Sequence, residues 1–172
     1  MSTPVTVQTP KDQFLDAYER EHAITTRLLR AYPADKLDLR PAPKCKTARE
    51  LAWVFVMERA FMTAALNGAF SNPGPMPAMP EPPATMEAIL TALDKAHRDF
   101  GQLVKSTPDA TLLETVKFPI APKTTGDLSR LQVCWALVTD QIHHRGQYSV
   151  YLRMADGKVP SIYGPTADEP WM

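Results

Sequence analysis

Two residues near the end of the chain, four positions apart, could bind a metal ion together. Asp140 and His144 lie in the stretch DQIHHRGQYSVYLR, residues 140–153. Side chains at positions i and i+4 of a helix project to the same side, so this carboxylate and this imidazole can chelate one divalent cation. Glu58 or His22 would supply a third ligand. A hydrogen-bonded network that fixes helix packing without any ion explains the same residues, because patterns this short often arise by chance.

Cys45 is a second candidate for chemistry, as a reactive thiol. It lies between Lys44 and Lys46 and two residues before Thr47, a residue that can cap a helix. Cations and a helix N-terminus both favour the thiolate form of cysteine. An ordinary loop cysteine could have the same neighbours, so the sequence leaves the reactivity of Cys45 open.

Four stretches with helical periodicity would position these side chains. Thr9, Thr47 and Thr85 can cap the first three helices, and Gly157 can adopt the left-handed conformation after the last. The helices are predicted to run from Pro10 to about Tyr32, from Thr47 to about Ala69, from Thr85 to about Lys105 and from Leu128 to about Ala155.

Several polar residues interrupt the apolar stripes of these helices. Burying such groups without a partner costs several kcal/mol, so we expect them to meet each other or to bind a ligand. The residues in question are His22, Glu58, His97, Asp140 and His144.

Length and charge limit the class of protein. A chain of 172 residues is long enough for one domain with a substantial core, so we expect a single domain over residues 1–172. Lys and Arg together number 19, as do Asp and Glu, and no basic run is present, which argues against a nucleic-acid partner. No stretch is long and apolar enough for a membrane span, and two cysteines fit a reducing compartment, so a cytoplasmic location is expected.

The prolines and the last helix indicate the architecture. The run PGPMPAMPEPP, residues 73–83, predicts an extended connector over 71–84, and residues 157–172 are expected to form an irregular tail. The fold class is therefore all-α, a four-helix bundle. The last helix has apolar stripes on two opposite sides, and one of them is predicted to face a second subunit in a homodimer. That stripe consists of Leu128, Leu131, Trp135, Val138 and Ile142.

Three motifs resemble the DinB-like (DinB/YfiT) superfamily of bacterial four-helix proteins. They are HHRGQ at 143–147, the helix opening TARELAW at 47–53 and the tail VPSIYGP at 159–165. The resemblance implies an up-down-down-up bundle, usually a dimer, with a divalent metal ion, often zinc or nickel, held by three histidines. His144 matches one of these ligands, whereas Asp140 and Val54 occupy the positions of the other two.

The resemblance therefore predicts a degenerate metal site. Valine cannot bind a metal, but Glu58 lies one turn beyond Val54 on the same helix face. Glu58, Asp140 and His144 would give a set of two carboxylates and one imidazole, which suits a harder ion. The cofactor is then either none or a divalent metal such as Zn, Ni or Mn at a divergent site.

Two functions fit this sequence. The favoured hypothesis is a metal-poor or metal-free dimer that binds a small molecule or another protein, because the loss of two ligands harms catalysis more than folding. The alternative is a divergent metal-dependent enzyme of the thiol-transferase or isomerase type, with Asp140, His144 and Glu58 as its metal ligands.

Overall fold

The computed structural model describes residues 8–71 and 80–172, and this part of the chain is mostly helical. Five α-helices, one short 3₁₀ turn (Ala34–Lys36) and one two-stranded sheet follow in chain order. The elements are α1 (Pro10–Arg30), α2 (Ala48–Leu66), α3 (Met86–Ser106), α4 (Asp109–Leu113), β1 (Thr115–Ala121), β2 (Thr124–Ser129) and α5 (Arg130–Met154). Most of the predicted proline connector lies outside the described residues.

The starts of the first three long helices are those that the sequence predicts. The Thr9 hydroxyl accepts a hydrogen bond from the backbone N–H of Asp12, and Thr47 does the same for Glu50. In both cases the acidic side chain accepts in return from the backbone N–H of the capping threonine. Local capping chemistry therefore sets the position of α2 along the chain, and with it the position of Glu58.

The all-α prediction is correct only in part, because the mostly helical chain also forms an antiparallel hairpin over residues 115–129. Thr115 pairs with Ser129, and Val116 pairs with Leu128, a residue that the sequence had assigned to the last helix. The Phe118 ring packs against the ring of Phe61 on α2, with centroids 5.9 Å apart. This contact with α2 stabilises a strand whose alternating pattern is interrupted by Pro119.

The end of α5 also differs from the prediction. Asp156, not Gly157, has the left-handed backbone, with φ of 60°. Gly157 is needed for a different reason: a Cβ atom on it would lie 2.1 Å from Cδ1 of Leu152. The glycine thus allows the chain to turn back tightly over α5.

Two apolar clusters lie at opposite ends of the long helices, with polar residues between them. Helix α1 contacts α3 and α5, and α2 contacts the same two helices. One cluster contains Phe55 and Tyr148, and the other contains Tyr18 and Leu137. None of the helices in residues 8–71 and 80–172 is long and apolar enough to cross a membrane.

We call the polar layer between the two clusters the polar belt; its members are Glu21, Thr25, Arg59, Gln141 and Arg145. Arg145 on α5 forms an ion pair with Glu21 on α1 at 2.7 Å, and the two side chains are 1% and 4% exposed. Arg59 on α2 donates to the side-chain oxygen of Gln141 on α5 at 2.6 Å. Gln141 in turn donates to the hydroxyl of Thr25. The belt therefore links α1, α2 and α5 at mid-height.

Replacing Arg145 with leucine should strongly destabilise the protein. Glu21 would remain buried without its cation, and breaking a buried ion pair from one side costs about 3–5 kcal/mol. Urea unfolding monitored by circular dichroism measures this loss. Arg153→Leu is the matched control, because its ion pair with Asp168 is partly exposed, at 49% for Arg153 and 20% for Asp168, and it should cause a much smaller loss. Equal losses in the two variants would contradict the role given to the polar belt.

Candidate metal centre

Three side chains that can bind a metal come together between α2 and α5. Glu58 projects from α2, while Asp140 and His144 project from successive turns of α5. One ligand atom from each lies within 4.8 Å of the other two. His144 Nε2 is 3.3 Å from Glu58 Oε1 and 3.6 Å from Asp140 Oδ1.

Glu58 is the unusual member of this cluster. Its side chain is 7% exposed, and neither carboxylate oxygen has a hydrogen-bond partner among the described residues. Burial, and to a smaller extent the negative charge of Asp140, raises the pKa of Glu58 to about 8, although the positive charge of Arg59 opposes the shift. Without a ligand, this carboxyl group therefore holds its proton at neutral pH.

The other two members are more accessible. The side chain of Asp140 is 47% exposed and that of His144 is 21% exposed. Asp140 therefore lies at the rim of the cluster, although the sequence placed it on a buried stripe. The cluster is open to solvent on one side, which gives an ion from solution a route to it.

The geometry of the three residues fits a divalent cation. Donor atoms bound to one ion at about 2.0–2.2 Å lie roughly 3–3.5 Å apart, and the two distances from His144 Nε2 are close to this range. Such an ion would satisfy the two buried carboxylate oxygens of Glu58, which have no hydrogen-bond partner among the described residues. The donor set also matches the preference of metals for carboxylate and imidazole ligands.

The remaining candidates do not join this cluster. His22, the alternative third ligand, contacts Asp94 at 3.1 Å and stacks on His97 with ring centroids 3.7 Å apart. Val54 lies near Glu58 on the same cleft but offers only methyl groups. Cys45 lines a different pocket of about 330 Å³, so its reactivity stays a prediction.

A cleft of about 560 Å³ adjoins the metal ligands. Helix α2, strand β1 and helix α5 form its walls, so the hairpin completes a pocket that the helices alone would leave open. Its lining residues are Val54, Met57, Glu58, Phe61, Met62, Phe118, Pro119, Ala136, Thr139, Asp140 and His143.

Sequence reasoning missed two features of this region. The first is the β1 wall of the cleft, because the pairing of Phe118 with Phe61 depends on tertiary contact. The second is the buried link between Arg59 and Gln141, which are fully enclosed. The available signal was that Arg59 directly follows Glu58 on α2 and that Gln141 directly follows Asp140 on α5.

These observations define the class: a mostly helical protein with a two-stranded sheet and a carboxylate-rich candidate metal centre. The family model described as "DinB family" matches residues 1–171, and the chain belongs to this family. It is 30% identical over 159 residues to the uncharacterized protein YrdA of Bacillus subtilis strain 168, which covers 92% of this chain and 90% of that protein.

Solved structures share the fold. A DinB-like protein from Bacillus cereus ATCC 10987 superposes with a TM-score of 0.73 at 24% identity, over 87% of this chain and 95% of the other. A DinB-like protein from Bacillus subtilis, YjoA, gives a TM-score of 0.65 at 15% identity, over 87% of this chain and 97% of the other. At these identities the likeness concerns the fold alone.

Glu58 should make the metal-free protein less stable as pH rises. Its folded pKa of about 8 lies above the ordinary value of 4.5, so between these values the folded state holds a proton that the unfolded chain has released. Glu58→Gln should remove this contribution and make the variant more stable than wild type by roughly a few kcal/mol near pH 8. Urea unfolding with a chelator at pH 5 and pH 8.5 measures it. The same pH slope in both proteins would show that Glu58 is not held protonated.

Proposed function

We propose that the protein is a divergent metal-dependent enzyme of the DinB family that binds one divalent ion through Glu58, Asp140 and His144. The small molecule on which it acts would lie in the adjoining cleft. The observation that carries this proposal is Glu58, a buried carboxylate with two unpartnered oxygens beside His144 Nε2. This is the alternative hypothesis of the two that the sequence left open.

Energetics support a ligand at Glu58. A buried carboxylate without a donor costs several kcal/mol, and a hydrophobic residue of similar size would avoid that cost. The neighbouring Val54 shows that this face of α2 accepts an aliphatic side chain. A cation would satisfy the oxygens of Glu58 and would attract Asp140 to the same point. Metal binding would therefore explain why a carboxylate is buried here despite its desolvation cost.

The ligand types indicate the kind of ion. Carboxylates suit manganese and similar hard ions, whereas imidazole suits zinc and nickel, so a set of two carboxylates and one histidine suits Mn²⁺ or Zn²⁺. Three protein ligands leave at least one position for a substrate or water, as in catalytic zinc sites.

Each part of the site has a distinct task in this proposal. The bound ion would act as a Lewis acid on a polar atom of the substrate. Glu58 and Asp140 would hold the ion from two different helices. The apolar walls of the cleft orient the substrate body and exclude water from the reacting end. The family resemblance suggests a thiol transferase or an isomerase as the reaction type.

A metal-free small-molecule-binding or interaction protein remains the second candidate. Val54 favours it, since this residue stands at the position where the family resemblance implies a ligand. In that case the cleft would bind its ligand without an ion, and Glu58 would stay protonated.

We also propose the family arrangement for the whole molecule: a four-helix bundle in up-down-down-up order, in a single domain. The two apolar clusters support it. The N-terminal halves of α1 and α5 share one cluster with the C-terminal halves of α2 and α3, so α1 and α5 would run opposite to α2 and α3.

A cytoplasmic homodimer is the proposed state of the protein. Both cysteines are free, as a reducing compartment would keep them. On the stripe predicted to form the interface, Val138 is buried within the protomer but Trp135 is 37% exposed. A partner would cover this indole. Light scattering at micromolar concentration tests the dimer, and a monomer there would reject it.

Metal binding should occur at one ion per chain and depend on Glu58. Tag-free protein stripped with chelator and titrated calorimetrically with Zn²⁺ or Mn²⁺ should show this stoichiometry. Glu58→Gln should weaken binding at least roughly tenfold, or about 1.4 kcal/mol, because the amide lacks the charge and one strong acceptor. Glu87→Gln, the same change at an exposed position of α3, should bind like wild type. If the wild type binds neither ion at the cluster, the metal-free candidate stands instead.

A further inference from the structure

We propose that the cleft beside the metal ligands takes a small molecule with an apolar or aromatic body and no negative charge. This inference rests on the part of the proposed function that makes the cleft the ligand site, and it does not require that an ion be bound. It names the substrate class, which neither the fold nor the comparisons supply.

The walls of the cleft select for an apolar body. Helix α2 contributes Met57, Phe61 and Met62, and strand β1 contributes Phe118 and Pro119. The Phe61 ring is held between Phe70 and Phe118, with centroid distances of 4.9 Å and 5.9 Å. Fixed aromatic rings with flexible methionine side chains beside them make a surface that fits a flat or branched apolar group.

The charges that face the cleft disfavour an anion. Asp140 is a carboxylate, Glu58 is neutral when protonated and negative when ionised, His143 is an imidazole, and no lysine or arginine is among the described lining residues. The nearby cations point elsewhere. Lys117 pairs with Asp127 at 2.9 Å, and the guanidinium of Arg59 is enclosed by Tyr18, Phe55 and Gln141.

A bound ion would not reverse this preference. The two carboxylates balance the two positive charges of a divalent cation, so the loaded site is neutral. A site of three neutral histidines would keep both positive charges and attract thiolates or carboxylates. With Glu58 and Asp140 as ligands, the site would have no net positive charge to attract an anion from solution, whether or not the ion is bound.

Three probes that share a phenyl ring but differ in charge test the inference: 2-phenylethanol, 2-phenylethylamine and phenylacetate. Protein with ¹³C-labelled methionine methyl groups is titrated without metal and then with Zn²⁺, and the Met57 and Met62 signals report binding in the cleft. The alcohol and the amine should shift both signals, and phenylacetate should bind at least about tenfold more weakly. Phenylacetate binding as tightly as the alcohol, or no shift with any probe, would overturn the inference.

Thr139→Lys provides the matched variant. Thr139 is exposed on α5 and lines the cleft, so a lysine there adds a cation without disturbing the core. The variant should bind phenylacetate at least as well as 2-phenylethanol, whereas an unchanged order of affinities would contradict the electrostatic explanation. If the protein fails to bind Zn²⁺ but still prefers the alcohol and the amine to phenylacetate, this inference stands and the metal-dependent function is rejected.

An independent observation assigns a role to Gln147, and we infer that it is a positioning residue for His144. The amide oxygen of Gln147 is 3.0 Å from His144 Nδ1, and its amide nitrogen is 3.0 Å from His143 Nε2. The amide oxygen can only accept, so His144 Nδ1 carries the proton. His144 Nε2 then keeps its lone pair on the side that faces Glu58 and Asp140.

His143 lies on the other side of the amide. Its Nε2 faces the amide nitrogen of Gln147, a donor, while the amide oxygen faces His144. A neutral imidazole with no such acceptor can place its proton on either nitrogen, and a proton on Nε2 blocks metal binding. Gln147 is exposed on α5, so this task, not core packing, explains its contacts.

Gln147→Leu and Gln147→Glu separate positioning from a structural effect. Long-range ¹H–¹⁵N NMR of the metal-free protein, at a pH where the ring is neutral, should show His144 as the Nδ1–H tautomer in wild type and Gln147→Glu. Gln147→Leu should show a mixture and bind Zn²⁺ about 10–100-fold more weakly. The Nε2–H tautomer in wild type, or the same tautomer in Gln147→Leu, would overturn the inference even if the protein binds no metal.

Discussion

The site depends on one constraint, a carboxylate buried between two helices with no hydrogen-bond donor. Glu58 must either hold a proton, which explains its raised pKa, or share its charge with a cation. The carboxyl group is uncharged in the first state, and its charge is balanced in the second. The availability of an ion therefore decides which state forms. Binding of an ion to Glu58, Asp140 and His144 would therefore release the proton of Glu58.

The polar belt holds the two helices that carry this cluster at a fixed spacing. Arg59 follows Glu58 on α2 and Gln141 follows Asp140 on α5, so the 2.6 Å hydrogen bond between Arg59 and Gln141 joins the helices directly beside the ligands. One residue of each adjacent pair points into the core and fixes the spacing, while the other points to the cleft. The ion pair of Arg145 and Glu21 extends this connection to α1. A buried network of this kind holds ligands at fixed positions before any ion arrives.

Interactions between residues close together in the chain could be predicted from the sequence, whereas contacts between distant parts of the chain could not. The starts of α1, α2 and α3 were predictable because each threonine cap bonds to a backbone N–H three residues further on, with an acidic partner at the same position in α1 and α2. Asp140 and His144 share a face for the same reason, and the choice between Glu58 and His22 as third member was left to the structure. The hairpin could not be foreseen, since Phe118 is held by Phe61 from another part of the chain.

Anomalous diffraction at the zinc absorption edge, from tag-free crystals grown with Zn²⁺, tests the central claim most directly. A single strong peak should lie about 2.0–2.2 Å from one oxygen each of Glu58 and Asp140 and from Nε2 of His144. A crystal that holds zinc elsewhere but shows no peak at these three residues, or a peak that Glu58 does not touch, would contradict the account.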